Sequence, residues 1–221
     1  VALISDDLAA QLKEELQALV NPVRLAVFSQ ALADPETERV KQLVEELGVL
    51  EPRLGVTSYN FVLDKDKADE LGIARIPAIA ILGTERDHGI RFYGAPTGYE
   101  FGLLIDAILE VSKGESSLSE ATRAALAELP RPVHVQVFST PTCPYCPRAA
   151  LLAFRFALAS DKVSADAVEV TGFPELARRY QVSSVPKTVV GEKLEFVGAL
   201  PESHLLQQVQ QASSSGSHLI A

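Results

Sequence analysis

The chain repeats itself, and that limits its possible folds more than any other feature. Arg24-Leu25-Ala26-Val27-Phe28-Ser29 aligns with His134-Val135-Gln136-Val137-Phe138-Ser139 at a shift of 110 residues. Ala68 to Pro77 aligns with Ala177 to Pro186 at a shift of 109, and Phe92-Tyr93-Gly94-Ala95 with Phe196-Val197-Gly198-Ala199 at 104. Three blocks in one order at nearly one shift mark a duplicated unit. Half of 221 residues is enough for each copy to bury its own core. The polar stretch Lys113 to Ser119 has linker chemistry, which divides the chain into units 1–113 and 114–221.

Each copy carries the same coarse order. An amphipathic helix leads (Leu8 to Val20; Glu120 to Glu128), followed by an apolar, β-branched strand (Val23 to Ser29; Val133 to Ser139). A helix comes next (Glu36 to Leu47; Pro147 to Ala159), then a second strand (Val56 to Val62; Ala165 to Val170) and a short helix (Asp66 to Leu71; Pro174 to Tyr180). After a proline, two short strands and a final helix (Gly98 to Val111; Glu202 to Ala212) complete the unit. The class is α/β, with two tandem units. Each has a mixed central sheet, because crossovers between parallel strands place helices on both faces.

Sulfur is confined to one place. The two cysteines, Cys143 and Cys146, form a Cys-x-x-Cys between a strand-like run and a helix-like run, and there is no methionine. The Ala149 to Ala159 run is the most apolar, yet it is too short to cross a bilayer and is interrupted by Arg155. Asp6, Asp7, Glu14 and Glu15 argue against a signal or transit peptide in Val1 to Val20. The expected compartment is the cytosol, where an isolated Cys-x-x-Cys is more often redox-active than a structural staple. A net charge of -9 without a basic patch disfavours nucleic acid and anionic membranes. The missing methionine and only two asparagines point toward a heat-adapted source, against which ten glutamines weigh.

The spacing itself prescribes chemistry. A thiolate, not a thiol, attacks a disulfide, so one cysteine needs a lowered pKa. At a helix N-terminus Cys143 would meet free N–H groups and the positive end of the dipole, with Arg148 as further positive charge. Two intervening residues put Cys146 within bridging distance. Cys143 is therefore the expected nucleophile, and Cys146, further into the helix, the resolving thiol. Pro144 and Pro147 suit first-turn positions. The rival readings are a static bridge, a zinc site and an iron–sulfur cluster shared between chains. A bridge over so short a loop stabilises little. A zinc site needs four ligands, but no second cysteine pair exists and His88, His134, His204 and His218 are scattered. No metal or other cofactor is expected.

The order of elements, with Cys-x-x-Cys after the first strand and Val185-Pro186 before the third, resembles the thioredoxin fold. Two such folds in one chain resemble the protein disulfide oxidoreductases of thermophilic prokaryotes. The carriers are Phe138 to Pro147, Ser184-Val185-Pro186-Lys187 and Glu195 to Glu202, and Cys-Pro-Tyr-Cys is also the glutaredoxin motif. The resemblance implies a thiol–disulfide oxidoreductase acting on protein disulfides. It also implies a cis Val185-Pro186 peptide facing the cysteines, with the Val185 backbone pairing with an extended substrate. Pro77 is the counterpart of Pro186 in the first copy. Pro144, Tyr145 and Thr142 flank the thiols and shape partner contact. Gly198-Ala199-Leu200-Pro201-Glu202 departs from the Gly-Gly-x-Asp-like turn with which glutaredoxins hold glutathione.

The first copy has lost its cysteines. Cys143 aligns with Ala33 and Cys146 with Glu36, and Asp34-Pro35-Glu36 reads as a capped helix start at a dead site. Tandem folds with one redox pair resemble the N-terminal part of flavin-dependent peroxiredoxin reductases. This implies an alternative role, an electron relay that serves a peroxiredoxin or a thioredoxin-reductase-like flavoprotein. Glu169, in the strand beside the active helix, is a weaker candidate for proton transfer from Cys146. The Ser213 to Ser217 tail is expected to be mobile.

Overall fold

A computed structural model describes residues 2–30 and 35–215. The first copy contains α1 (Asp6–Leu16), β1 (Val23–Ser29), α2 (Pro35–Leu50), β2 (Leu54–Asn60), α3 (Lys65–Glu70), β3 (Ala78–Leu82), β4 (Ile90–Tyr93) and α4 (Tyr99–Lys113). The second contains α5 (Glu120–Ala127), β5 (Val133–Ser139), α6 (Cys146–Ala159), β6 (Val163–Glu169), α7 (Pro174–Arg179), β7 (Lys187–Val190), β8 (Leu194–Val197) and α8 (Glu202–Ser214). The elements follow the expected order, and both leading strands have the expected bounds. Asp34 and Ala33 lie outside the described residues, whereas Pro35 and Glu36 open α2.

Two side-chain hydroxyls start the leading helices. Ser5 accepts the Leu8 N–H at α1, and Ser119 accepts the Thr122 N–H at α5, each satisfying an amide that a helix terminus leaves free. The strands then alternate between two apolar faces. Val23, Leu25 and Val27 of β1, like Val133, Val135 and Val137 of β5, enter one core cluster, while Phe28 and Phe138 enter another. A sheet covered on both faces makes such apolar runs the expected strand sequence.

The two sheets are continuous. Strand order is β2-β1-β3-β4-β6-β5-β7-β8, and the copies join where β4 runs parallel to β6. The pairing sets Ile90 opposite Ala165 and Tyr93 opposite Val168. One core then spans the junction: Leu103, Leu104 and Ile108 of α4 share a cluster with Ala150, Ala153 and Phe154 of α6. Beneath it, Glu110 of α4 takes the Arg155 guanidinium at 3.1 Å.

Hydrogen bonds hold serines in both serine-rich stretches among the described residues. In the connection, Gly114 adopts φ +73° to end α4 and buried Ser116 donates to the Arg155 carbonyl at 2.8 Å. At the other stretch, the expectation of a mobile tail fails for Ser213 and Ser214, which belong to α8. Leu205, Val209 and Ser213 recur every four residues and form one buried face. Ser213 Oγ donates to the Arg131 carbonyl at 2.7 Å and accepts the Arg131 N–H at 2.9 Å, so a small polar residue satisfies its groups within the core. Gly216 and Ser217 lie outside the described residues.

Candidate active site at the junction of the two copies

β5 ends at Ser139, and the chain turns through Thr140 to Tyr145 before α6 begins at Cys146. The Cys143 N–H donates to the Thr140 carbonyl at 3.1 Å, closing the turn. A disulfide joins Cys143 to Cys146 with Cα atoms 5.5 Å apart. Cys143 stands ahead of α6, not within its first turn, and Cys146 is the first helical residue, not one deeper in. The proline pair accounts for this: Pro147 fits the first turn, where its missing N–H costs nothing, and Pro144 belongs to the preceding turn. The order of burial is as expected, with Cys143 keeping 8% of its surface open and Cys146 none. Tyr145 is 65% exposed and Pro144 is exposed beside it.

The second expected element sits at the same end of the sheet. β7 runs antiparallel to β5 with Lys187 opposite Phe138, so the peptide before it lies where β5 runs out into the cysteine turn. Val185-Pro186 is cis, as is Ile76-Pro77 in the first copy. Each proline carbonyl accepts a glycine N–H from the following hairpin, Gly198 at 2.8 Å and Gly94 at 3.0 Å. Val185 itself is half-buried. Arg148 does not stand free beside the thiols: its Nη2 donates to the Ala199 carbonyl at 2.6 Å, tying α6 to the turn before α8.

Two buried carboxyls flank the end of β5. Glu169, the proton-transfer candidate, is fully engaged elsewhere. Its Oε1 accepts from the Thr171 N–H at 2.8 Å and the Thr171 hydroxyl at 2.6 Å, and its Oε2 accepts the Gly172 N–H at 2.9 Å. Those bonds hold the turn between β6 and α7. Glu100, from α4 of the first copy, is different. Ser139 Oγ donates to its Oε1, and its Oε2 is buried without a hydrogen-bond partner among the described residues. Burial pushes the Glu100 carboxyl up to about 8; the Ser139 bond opposes the rise and the Glu169 charge adds to it. Glu100 is therefore mostly a neutral acid at pH 7.

Sequence reasoning passed over Glu100 because an acid at a helix start has an ordinary explanation in the dipole. The signal was its spacing. Glu100 shares a stripe with Leu103, Leu104, Ala107, Ile108 and Val111, all buried. A carboxyl on the apolar stripe of a helix must be neutralised or paired, and such groups collect at functional sites.

The remaining candidates are dispersed. His134 Nε2 lies 2.8 Å from Asp166, His88 takes the Arg86 Nε–H and His204 meets the Phe196 ring edge-on. His218 lies outside the described residues. Among those described, no group of three or more His, Cys, Asp or Glu has the arrangement of a metal site, and no helix is long and apolar enough to cross a membrane.

Known proteins share this arrangement. A family profile described as Thioredoxin domain matches residues 133–211, within the copy that holds the disulfide. The alkyl hydroperoxide reductase AhpF of Staphylococcus aureus (strain Mu50) is 27% identical over 146 residues, which is 66% of this chain and 26% of that protein. The chain thus spans about a quarter of the length of these curated relatives. The solved AhpF from Enterococcus faecalis, at 23% identity, shares the fold, with a TM-score of 0.85 over 93% of this chain and 98% of that one. The protein disulfide oxidoreductase from Aeropyrum pernix K1 is 33% identical and superimposes with a TM-score of 0.89 over 96% of this chain and 95% of its own. With two thioredoxin-like folds in tandem and its Cys143–Cys146 disulfide in the second, this chain belongs to the protein disulfide oxidoreductases.

Proposed function

We propose that the reduced protein transfers two electrons to disulfides of other proteins through Cys143 and Cys146. The Cys143 thiolate attacks one sulfur of the substrate disulfide, forming a mixed disulfide and releasing the other sulfur as a thiolate that takes up a proton. Cys146 then gives up its proton and attacks the Cys143 sulfur. The second substrate thiol leaves, and the Cys143–Cys146 bond remains. The substrate gains two electrons and two protons; the protein loses its two thiols to a disulfide. An external dithiol or flavoprotein restores the reduced pair. The observation that carries this reading is the order of burial within one bridge: Cys143 keeps a small part of its surface open, and Cys146 none.

Four residues take the partner: Pro144 and Tyr145 beside the thiols, Val185 and Pro186 as a backbone edge for an extended segment. Among the described residues, no hydrogen bond occupies the Val185 N–H or C=O. Glu100 serves as the buried acid–base group. Its carboxyl bonds Ser139 at the end of β5, ahead of the cysteine turn; protonated at pH 7 it is suited to giving a proton to a departing thiolate, and above about pH 8 its carboxylate form can take the Cys146 proton. The division into units 1–113 and 114–221 assigns redox chemistry to the second and support to the first. The Cys-Pro-Tyr-Cys motif supports a glutaredoxin-like potential of about -200 to -230 mV. A cytosolic setting and a heat-adapted source agree with the sparing use of cysteine, the lack of methionine and the Aeropyrum relative. The test is reduction of insulin by dithiothreitol: Cys143→Ser must abolish catalysis, and undiminished turnover would overturn the assignment.

The likeness to AhpF favours a second reading, a relay between a flavoprotein and a peroxiredoxin. Turnover of a peroxiredoxin disulfide well above that of insulin would select the relay; equal rates would reject it.

A further inference from the structure

The first copy reaches the redox turn directly. The Tyr99 N–H, at the start of α4, donates to the Pro141 carbonyl at 2.9 Å, two residues ahead of Cys143. Among the described residues, no other hydrogen bond holds that carbonyl. Gly98, the residue before α4, lies against the same peptide with φ +55°. A Cβ on Gly98 would stand 2.4 Å from the Pro141 oxygen and 3.1 Å from its carbonyl carbon. Only glycine provides both that backbone conformation and that clearance.

The equivalent turn in the second copy differs. Four residues, Gly198 to Pro201, separate β8 from α8, whereas five, Gly94 to Gly98, separate β4 from α4. The extra residue in the first copy is where the chain meets the redox turn. Gly98 makes no side-chain cap, so its presence at the helix start is explained by clearance, not by capping. The anchor behind it is firm, because α4 buries Leu103, Leu104, Ile105, Ile108 and Val111.

We infer that Gly98 and Tyr99 are positioning residues of the redox site. By fixing the Pro141 carbonyl, they set the orientation of the Pro141–Thr142 peptide, and through it the place of the Cys143 sulfur relative to the first turn of α6. The copy without cysteines thereby tunes the copy that has them. The inference rests on Cys143 as the nucleophile and goes beyond that assignment by naming what holds it in place.

The test separates the backbone bond from the side chain. Tyr99 is the first helical residue, a position that accepts proline, so Tyr99→Pro deletes the N–H while leaving the helix start intact. Tyr99→Ala keeps the N–H and removes the ring. In the reduced full chain, the rate of Cys143 alkylation by iodoacetamide is followed against pH, together with reduction of a small aromatic disulfide. The expected result is a displaced alkylation profile and an about fivefold slower reduction for Tyr99→Pro, the weight of one hydrogen bond, with Tyr99→Ala near the unaltered protein. Gly98→Ala must shift the profile in the same direction as Tyr99→Pro. Coincident profiles for Tyr99→Pro and Tyr99→Ala overturn the inference. If Tyr99→Pro does not fold, hydrogen exchange of the unaltered protein decides. The Tyr99 amide has no partner within its helix, so strong protection supports the bond, and exchange at the rate of a frayed end refutes it. Failure of the nucleophile assignment gives a distinct signature: an alkylation profile for the unaltered protein that Cys143→Ser does not change.

Discussion

Gly94 and Gly198 close the same turn in the two copies, with φ values of +107° and +101°, yet their surroundings differ completely. A Cβ on Gly94 would lie 2.6 Å from the Glu169 Cβ of the other copy; on Gly198 it would meet nothing within 4 Å. The contrast extends along the strands. β4 is buried at all four residues because β6 covers its outer edge, while β8 alternates between half-buried and exposed at the end of the sheet. One ancestral unit thus occurs twice in unlike roles. Each copy pairs one edge strand across the junction, β4 with β6, and keeps one open, β2 or β8; the first copy lacks the cysteines and the second holds them. The first copy touches the segment leading to the cysteines: Glu100 bonds Ser139, and Gly98 and Tyr99 meet Pro141.

The largest way to test this division is to remove chemistry from the second copy alone. Cys143→Ser should lower dithiol-dependent insulin reduction about a thousandfold or to background while leaving the thermal midpoint of the reduced protein nearly unchanged. A residual rate above a tenth of the original would mean that the copies do not divide the work in this way.

Next comes the group that the first copy lends. Glu100→Gln should slow resolution of the mixed disulfide roughly tenfold or more and flatten the pH dependence of the rate around pH 8. Stability moves the opposite way. The folded carboxyl holds its proton up to about pH 8, whereas an unfolded one releases it near its model value of 4.5. Between those values the folded state binds more protons, so stability falls as pH rises. The glutamine variant should lose that slope and be the more stable protein at pH 8. Chemical denaturation at pH 5 and pH 8 checks it; an unchanged slope would mean Glu100 is ionised in the fold.

The paired glycines sharpen the comparison further. Gly198→Ala should cost about 1 kcal/mol, the price of a positive φ for a residue with a side chain. Gly94→Ala should cost at least about 2 kcal/mol more, because the added methyl drives the copies apart. Urea midpoints of the two variants measure the difference, and equal costs would show that the junction yields easily. An effect on stability alone belongs to the far end: Ser213→Ala, which unties α8 from Arg131, should destabilise by about 1–2 kcal/mol without changing the rate.

Much of this was legible before any coordinates. Local pattern was enough for Val23–Ser29 and Val133–Ser139, because apolar residues, valine and phenylalanine in each, recur at strand spacing and a turn ends the run. Cys143 and Cys146 were visible from scarcity and spacing. Glu169 was the acid weighed from its strand position, and its own turn takes up both oxygens, while Glu100 drew no reading. Glu100 is 43 residues from Cys143 in sequence and comes to the end of β5 only because β4 joins β6. The serines of 213–214 were misread for a related reason, since hydroxyls count as mobile until a partner such as Arg131 is known.

The sequence by itself determined the duplication, the order of elements in each copy and the one place where sulfur chemistry occurs, because these follow from periodicity, turn residues and composition along the chain. Only the tertiary structure decided that the two sheets fuse edge to edge, and hence that a carboxyl and a helix start from the cysteine-free copy meet Ser139 and Pro141 ahead of the cysteines. Pairing across a sheet edge depends on which backbone groups meet in space. No short-range pattern encodes that choice.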